Sequence, residues 1–237
     1  MPGRLALALA STLLAYAALA GPVAAAADEP PTVGTPAMTA TSATSVQVSV
    51  SVDGHNTAAT VNVEYVTAGA YRAHRVPGAA TTVTIATLPP SDAGAAVVTG
   101  LVIGLDPGAT YRMRVRSSNA GGETISSDVT VATPAAPKPG FTAKVGEDST
   151  RITKLTVTGG TGVETAKVTC RTSAKGCPLS STVVPLAAGT TSLSKLLKRS
   201  PLEPGAKVVV QVSAYGVKLS TLTLIVRDGQ QPKVRRR

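Results

Sequence analysis

The amino-acid sequence predicts an all-β chain of two small β-sandwich-like domains joined by a Pro-rich linker. Three observations carry that expectation. Beyond residue 27 the chain is rich in Thr, Val, Ala, Ser and Gly, and β-branched side chains suit a pleated, half-buried surface. No long stretch there repeats apolar residues at helical spacing. Short alternations of apolar and polar residues recur instead, punctuated by turn-forming Gly, Pro, Asp and Asn.

The first 27 residues read differently. Arg4 is a lone positive charge, Leu5 to Ala20 is an apolar run built mainly of Leu and Ala, and Ala24-Ala25-Ala26-Ala27 offers small residues for cleavage. Those are the three parts of a secretory signal peptide, with the cut expected after Ala27. The apolar run of 16 residues falls short of the ~20 that span a bilayer. No later segment is apolar enough to cross one, so the mature chain is expected outside the cytoplasm, secreted or wall-associated. The remaining 210 of 237 residues suit two domains of about 100 residues each.

Strand-like runs then follow in order. Val46, Val48, Val50 and Val52 alternate with polar residues and end at the turn Asp53-Gly54. Val61, Val63 and Tyr65 alternate next, followed by Tyr71, Ala73 and Arg75 as a further strand. Thr81 to Thr87 is β-prone and stops at Leu88-Pro89-Pro90, and Val97 to Ile103 runs into the turn Leu105-Asp106-Pro107-Gly108. Tyr111, Met113 and Val115 point one way while Arg112, Arg114 and Arg116 point the other. Val129 and Val131 close the domain. About seven short strands with turns between them suggest a sandwich.

The stretch from Leu105 through Tyr111 to Arg116, with Asn119-Ala120-Gly121-Gly122-Glu123 after it, resembles the end of a fibronectin type III domain. Val61-Asn62-Val63-Glu64-Tyr65 is similar to that family's third strand. The resemblance covers about residues 36–133 and implies an immunoglobulin-like sandwich. It also implies that Leu105 enters the core and that Tyr111 forms a tyrosine corner. The family's early-strand Trp is absent, so Val48 or Val50 must fill that space. The resemblance implies no chemistry. In secreted bacterial proteins such domains serve as spacers or contact modules, often beside glycoside hydrolases.

Pro134 to Gly140 is expected as an extended linker of polyproline type. A second β-domain follows over 141–228. Its candidate strands are Ile152 to Val157, Val163 to Cys170, Lys207 to Ala214 and Val217 to Val226, with Tyr215-Gly216 as a hairpin turn. Leu193, Leu196 and Leu197 stand at helical spacing, which predicts one short helix within 190–202. Residues 229–237 read as a flexible basic tail. The run Val168-Thr169-Cys170, then Lys175-Gly176-Cys177-Pro178, resembles a β-module in secreted proteins of high-GC Gram-positive bacteria. That resemblance speaks to location and carries no activity.

Cys170 and Cys177 admit three readings. In an oxidising compartment they are expected to pair. A metal site needs more ligands, and no His occurs after residue 137. A redox pair usually has two residues between its cysteines, whereas six stand here.

Charge is split along the chain. Residues 28–137 hold five Arg and eight acids, whereas residues 138–237 hold 17 Lys or Arg and five acids. Candidates for anion contact are Arg112, Arg114, Arg116, Lys195, Lys198, Arg199, Lys233, Arg235, Arg236 and Arg237. The arginine row over 112–116 equally suits a solvated strand face. The basic half either holds an anionic partner or keeps the domain dissolved. Partners of the first kind are an anionic wall or extracellular polysaccharide, or another surface protein. Nucleic acid is disfavoured because aromatics do not interleave with the basic residues.

Catalysis has little to stand on. The two histidines, His55 and His74, are expected in a turn and on an exposed strand, which assembles no triad. Glu147-Asp148, Glu164 and Glu203 do not read as the paired carboxyls of a glycosidase. Gly159-Gly160-Thr161-Gly162 reads as a turn rather than a phosphate loop, and no cofactor is implied. The expected function is non-catalytic binding or adhesion at the cell envelope. The alternative is an accessory component, or an unrecognised hydrolase, of extracellular polysaccharide degradation.

Overall fold

The computed structural model describes residues 28–74, 80–171, 175–197 and 200–237. The expected signal peptide, Arg75, Lys198 and Arg199 lie outside the described residues.

The first unit contains β1 (Thr32–Val33), β2 (Ala37–Ser42), β3 (Ser45–Asp53), β4 (Ala59–Thr67), α1 (Ala68–His74), β5 (Thr81–Leu88), β6 (Ala96–Ile103), β7 (Thr110–Asn119), β8 (Gly122–Ile125) and β9 (Val129–Ala132). β1 and β2 lie end to end along one edge of β3, and β6 pairs with its other edge. In the second sheet β4 stands between β5 and β7, and β8 and β9 line the far edge of β7. Alternation explains the layers. Val46, Val48, Val50 and Val52 turn inward from β3, and Val61, Val63, Met113 and Val115 meet them from β4 and β7. Val48 and Val50, the residues expected to stand in for the absent Trp, are both buried.

Tyr71, Ala73 and His74 lie in helix α1 rather than on a strand, which corrects the expectation for them. The segment is Ala-rich and has no β-branched residue, and the Thr67 hydroxyl accepts a hydrogen bond from Ala70 N at 3.3 Å. That contact satisfies one of the free donors at a helix start.

The second unit contains β10 (Lys138–Val145), β11 (Thr150–Gly160), β12 (Thr165–Arg171), β13 (Ser181–Pro185), β14 (Gly189–Ser192), a 3-10 turn over Ser194–Leu197, β15 (Pro201–Leu202), β16 (Lys207–Ala214), β17 (Val217–Arg227) and β18 (Gln230–Arg236). β10 pairs one edge of β11, and β14 and β15 share the other. The opposing sheet runs β13-β12-β16-β17-β18. Ile152, Leu155, Val157, Val168, Val208, Val210, Val212, Leu222 and Leu224 fill the space between them.

The two units share one topology. With β1 and β2, β8 and β9, and β14 and β15 each counted as one broken edge strand, the first strand of each unit pairs with the second, the third crosses to the other sheet and pairs with the fourth, and the fifth returns to the second. The sixth and seventh then extend the sheet from the third strand. β18 is an eighth strand with no counterpart in the first unit.

Three expectations about the second half are corrected. The linker is shorter than 134–140, because Lys138, Pro139 and Gly140 already pair with Thr158, Val157 and Thr156. Pro is tolerated there because β10 is an edge strand. Ser194–Leu197 forms a 3-10 turn where an α-helix was expected within 190–202. Leu193 N donates to Leu155 O at 2.8 Å, so the sheet takes the backbone before a helix can propagate. Residues 230–236 are strand β18 rather than a flexible tail. Pro232 is buried and Val234 packs on the core, which gives this polar segment an apolar side to fix it.

Cys170 and Cys177 form a disulfide with Cα atoms 5.5 Å apart. The loop it closes is held against the turn before β16. Lys175 Nζ donates to Pro204 O at 2.6 Å, and Glu203 N donates to Lys175 O at 3.1 Å. Gly176 has φ of +75°, and a Cβ there would lie 2.1 Å from Pro201 O. Only glycine permits that approach.

Candidate functional site

Two basic sheet faces emerge, and their electrostatics differ. On the first, Arg112, Arg114 and Arg116 project outward from β7 while Tyr111, Met113 and Val115 face the core. The register sets Glu64 opposite Arg114 and Asn62 opposite Arg116. Arg114 Nε donates to Glu64 Oε2 at 2.8 Å and Arg116 Nη1 to Glu64 Oε1 at 3.1 Å. Arg116 also donates through Nε to Glu123 Oε2 at 2.9 Å, and its Nη2 contacts the same oxygen. The Glu64 side chain is only 8% exposed. Burial pushes its carboxyl up, but the hydrogen bonds and charges of the two guanidinium groups outweigh this and hold it below the usual value. Arg112 instead stacks over the Tyr71 ring, 5.7 Å from its centre. The row is thus largely consumed by internal partners.

The hydroxyl of Tyr111 accepts a hydrogen bond from Asp106 N at 2.8 Å, and Leu105 is buried beside it. Burial raises the phenol's pKa above its ordinary value. Asn119 donates to Glu29 O at 2.8 Å and Gly54 O at 3.1 Å, clamping the start of the described chain to the β7–β8 turn.

The second face is the outer side of the five-stranded sheet. Val208, Val210, Val212, Leu222 and Leu224 point to the core, so Lys207, Val209, Gln211, Thr221, Thr223 and Ile225 point away from it. The register extends this across neighbouring strands. Lys167 stands beside Gln211, and Arg171 beside Lys207. Lys233 stands beside Ile225, and Arg235 beside Thr223. Thr221 and Arg237 exchange backbone hydrogen bonds at 2.7 and 3.0 Å, which continues the register to the last residue.

Lys207, Lys218, Arg235 and Arg237 converge with Thr221, Thr223 and Ile225 around a shallow cavity of about 220 Å³. Among the described residues, none of these four cations is in an ion pair. No Asp or Glu occupies an outward position on β12, β16, β17 or β18 between Thr165 and Arg237. The Thr221 hydroxyl in the cavity wall has no hydrogen-bond partner among the described residues. Mutually repelling cations left without acids make a surface that gains from a bound anion.

The structure therefore sorts the expected anion contacts. Lys233, Arg235 and Arg237 lie together on the cationic face. Arg236 points to the opposite side of β18, beside Pro137 and Leu219. Lys195 is exposed on the 3-10 turn, away from this face. Lys198 and Arg199 lie outside the described residues. Sequence reasoning missed Lys167, Lys207 and Lys218. Their signal was available in the alternation of Lys207 with Val208, Val210 and Val212.

Elsewhere, Glu164 is buried and accepts from Thr161 N and Thr161 Oγ1, both at 2.8 Å, to close the β11–β12 turn. Among the described residues no cluster of His, Cys, Asp and Glu could hold a metal ion. No helix among them is long and apolar enough to cross a membrane.

No protein-family model matches the chain, and no curated protein matches it either. Among solved structures it is similar to the sensor domain of the anti-sigma factor RsgI4 of Pseudobacteroides cellulosolvens. A longer form of that domain has 18% identity over 44% of this chain and 90% of that one, with a TM-score of 0.31. A shorter form has 20% identity over 45% and 97%, with a TM-score of 0.33. The FN1–FN3 domains of chicken CNTN1 have 15% identity over 84% of this chain and 69% of that one, with a TM-score of 0.33. These likenesses concern the all-β fold alone.

Proposed function

We propose that this chain is a secreted, non-catalytic protein of two fibronectin-type-III-like modules that binds an anionic polymer of the cell envelope. Export rests on the sequence of residues 1–27 and fits the disulfide between Cys170 and Cys177. The fibronectin-type assignment of the first module rests on its three-plus-four strand order and on the bond between Tyr111 and Asp106 N. The second module has the same order with one strand added.

The observation that carries the binding assignment is the acid-free outer face of β12, β16, β17 and β18. Lys207, Lys218, Arg235 and Arg237 converge there around one cavity, with Lys233 beside them on β18, a clustering that charge kept only for solubility does not require. The first module acts as spacer or protein contact. Arg114 and Arg116 are tied to Glu64 and Glu123 and Arg112 lies over the Tyr71 ring, so the module adds little to anion binding.

Sedimentation of the secreted chain with purified cell-wall fragments tests this. Binding is expected at low salt and should weaken steadily as salt rises, because screening shortens the reach of surface charges. A chain that stays in the supernatant at low salt refutes the proposal.

A further inference from the structure

The cationic face has a shape as well as a charge. Thr221, Thr223 and Ile225 of β17 form a floor. Lys233, Arg235 and Arg237 rise along β18 on one side, Lys207 of β16 stands beside Ile225 on the other, and Lys218 lies at the end of the floor on β17 itself. Two strand spacings separate β16 from β18, so the trough is about 9.6 Å wide between backbones. Cations on alternate residues of β18 repeat every ~6.8 Å along it.

We propose that this trough binds a linear polyphosphodiester with short aliphatic links, lying parallel to β17. The inference rests on the anion-binding reading above and specifies its ligand. Three features select this chemistry. A phosphodiester with a three-carbon link places successive charges about 7 Å apart when extended, since its six bonds each advance roughly 1.2 Å. That spacing matches the cation repeat on β18. Each phosphodiester also carries its charge within the polymer backbone, on two diverging oxygens, so beside Ile225 it can accept from Lys233 of one wall and Lys207 of the other. A uronate polymer carries each carboxylate as a pendant group on a rigid ring, so the ring and not a short flexible link sets its charge spacing. Finally, the floor offers threonine and isoleucine side chains, which suit an alditol link and hold no ring on which a base could stack. Nucleic acid binding without aromatic platforms loses the stacking that normally contributes to it.

The test measures binding of the secreted chain to three probes of equal charge number at one ionic strength. These are an oligo(glycerol phosphate), an oligogalacturonate and oligo(dT). The glycerol phosphate probe is expected to bind at least about tenfold more tightly than either other probe. The paired substitution Thr223→Lys with Arg235→Gln keeps the net charge and moves one cation from the wall to the floor. It is expected to remove that preference while leaving the folded baseline in circular dichroism unchanged, since both positions face outward.

Equal binding of all three probes, or an unchanged preference in the paired variant, overturns the phosphodiester inference and leaves anion binding standing. Tighter binding of oligo(dT) overturns it in favour of nucleic acid. Failure of every probe to bind at low salt overturns both readings.

Discussion

The outward face of β7 and the outward face of β17–β18 look alike in sequence and differ in physics. β7 and β18 each present a run of basic residues at alternate, outward-facing positions. On β7, Arg114 and Arg116 share Glu64, and Glu123 takes the second guanidinium as well. On β17–β18 the neighbouring outward residues are Thr, Ile, Lys and Gln, and no acid answers the charge. A row of arginines is therefore not itself an anion site. What decides is the strand placed beside it, because cross-strand neighbours stand within about 5.5 Å.

Breaking the second face should have the largest consequence. Replacing Lys207, Lys218, Arg235 and Arg237 with Gln removes the cations around the cavity. At about 1 kcal/mol for each basic residue near an anionic surface, affinity for wall fragments should fall roughly a thousandfold. Replacing Arg112, Arg114 and Arg116 in the same way should change it little. Sedimentation of the two variants side by side checks the contrast, and equal losses would erase it.

The modules are also held together differently, which leads to the next largest effect. The second is stapled by Cys170–Cys177, while the first contains no cysteine. A disulfide closing so short a loop stabilises by about 2.5 kcal/mol through the entropy of the unfolded chain. Reduction, or Cys170→Ser with Cys177→Ser, should lower the thermal midpoint of the second module by about 10–20 °C. The first should melt where it did before. Two-phase calorimetry before and after reduction separates these responses.

A smaller change should convert the first face towards the second. Glu64→Gln leaves Arg114 and Arg116 without their shared carboxylate. Removing one member of a buried ion pair costs more than a surface pair is worth, and Arg116 is 40% exposed, so a loss of about 1–2 kcal/mol is expected. Combining it with Glu123→Gln frees both guanidinium groups for external anions. The double variant should bind wall fragments through its first module even when the second face has been neutralised. Retention on an anionic column, compared with the neutralised parent, measures that gain.

How much of this was legible in the sequence depends on how local the signal was. β16 and β17 follow from alternating valines and leucines around Tyr215-Gly216, and the structure places those strands over Lys207–Ala214 and Val217–Arg227. Helix α1 was misread because Tyr71 and Ala73 alternate with polar residues as a strand would, while Ala68–His74 lacks the β-branched residues that favour one. β18 was misread because three of its seven residues are Lys or Arg. Its fold depends on Val234 meeting a core built by residues far away in the chain. The pairing of Glu64 with Arg114 spans 50 residues, so no local pattern announces it. It became readable only by setting outward Glu64 against outward Arg114 on adjacent strands. The same step applied to Lys207 and Arg235 would have found the second face.

Titration gives the smallest effect and separates the faces by sign. Burial raises the Glu64 pKa, but its arginine partners outweigh burial and hold it below the ordinary carboxylate value in the folded state. A carboxylate depressed by folding contributes stability that is complete above its unfolded pKa and is lost as pH falls through the folded one. The first module should therefore hold its full stability at neutral pH, then weaken through and below the usual carboxylate range. Glu64→Gln should flatten that slope. The second face presents no carboxylate and no histidine on β12, β16, β17 or β18. Its affinity for a permanently ionised phosphodiester should stay level between about pH 5 and 8. Chemical denaturation and probe binding across one pH series would expose the difference. A binding curve that followed the stability curve of the first module would place the anion on β7 and reverse the comparison between the two faces.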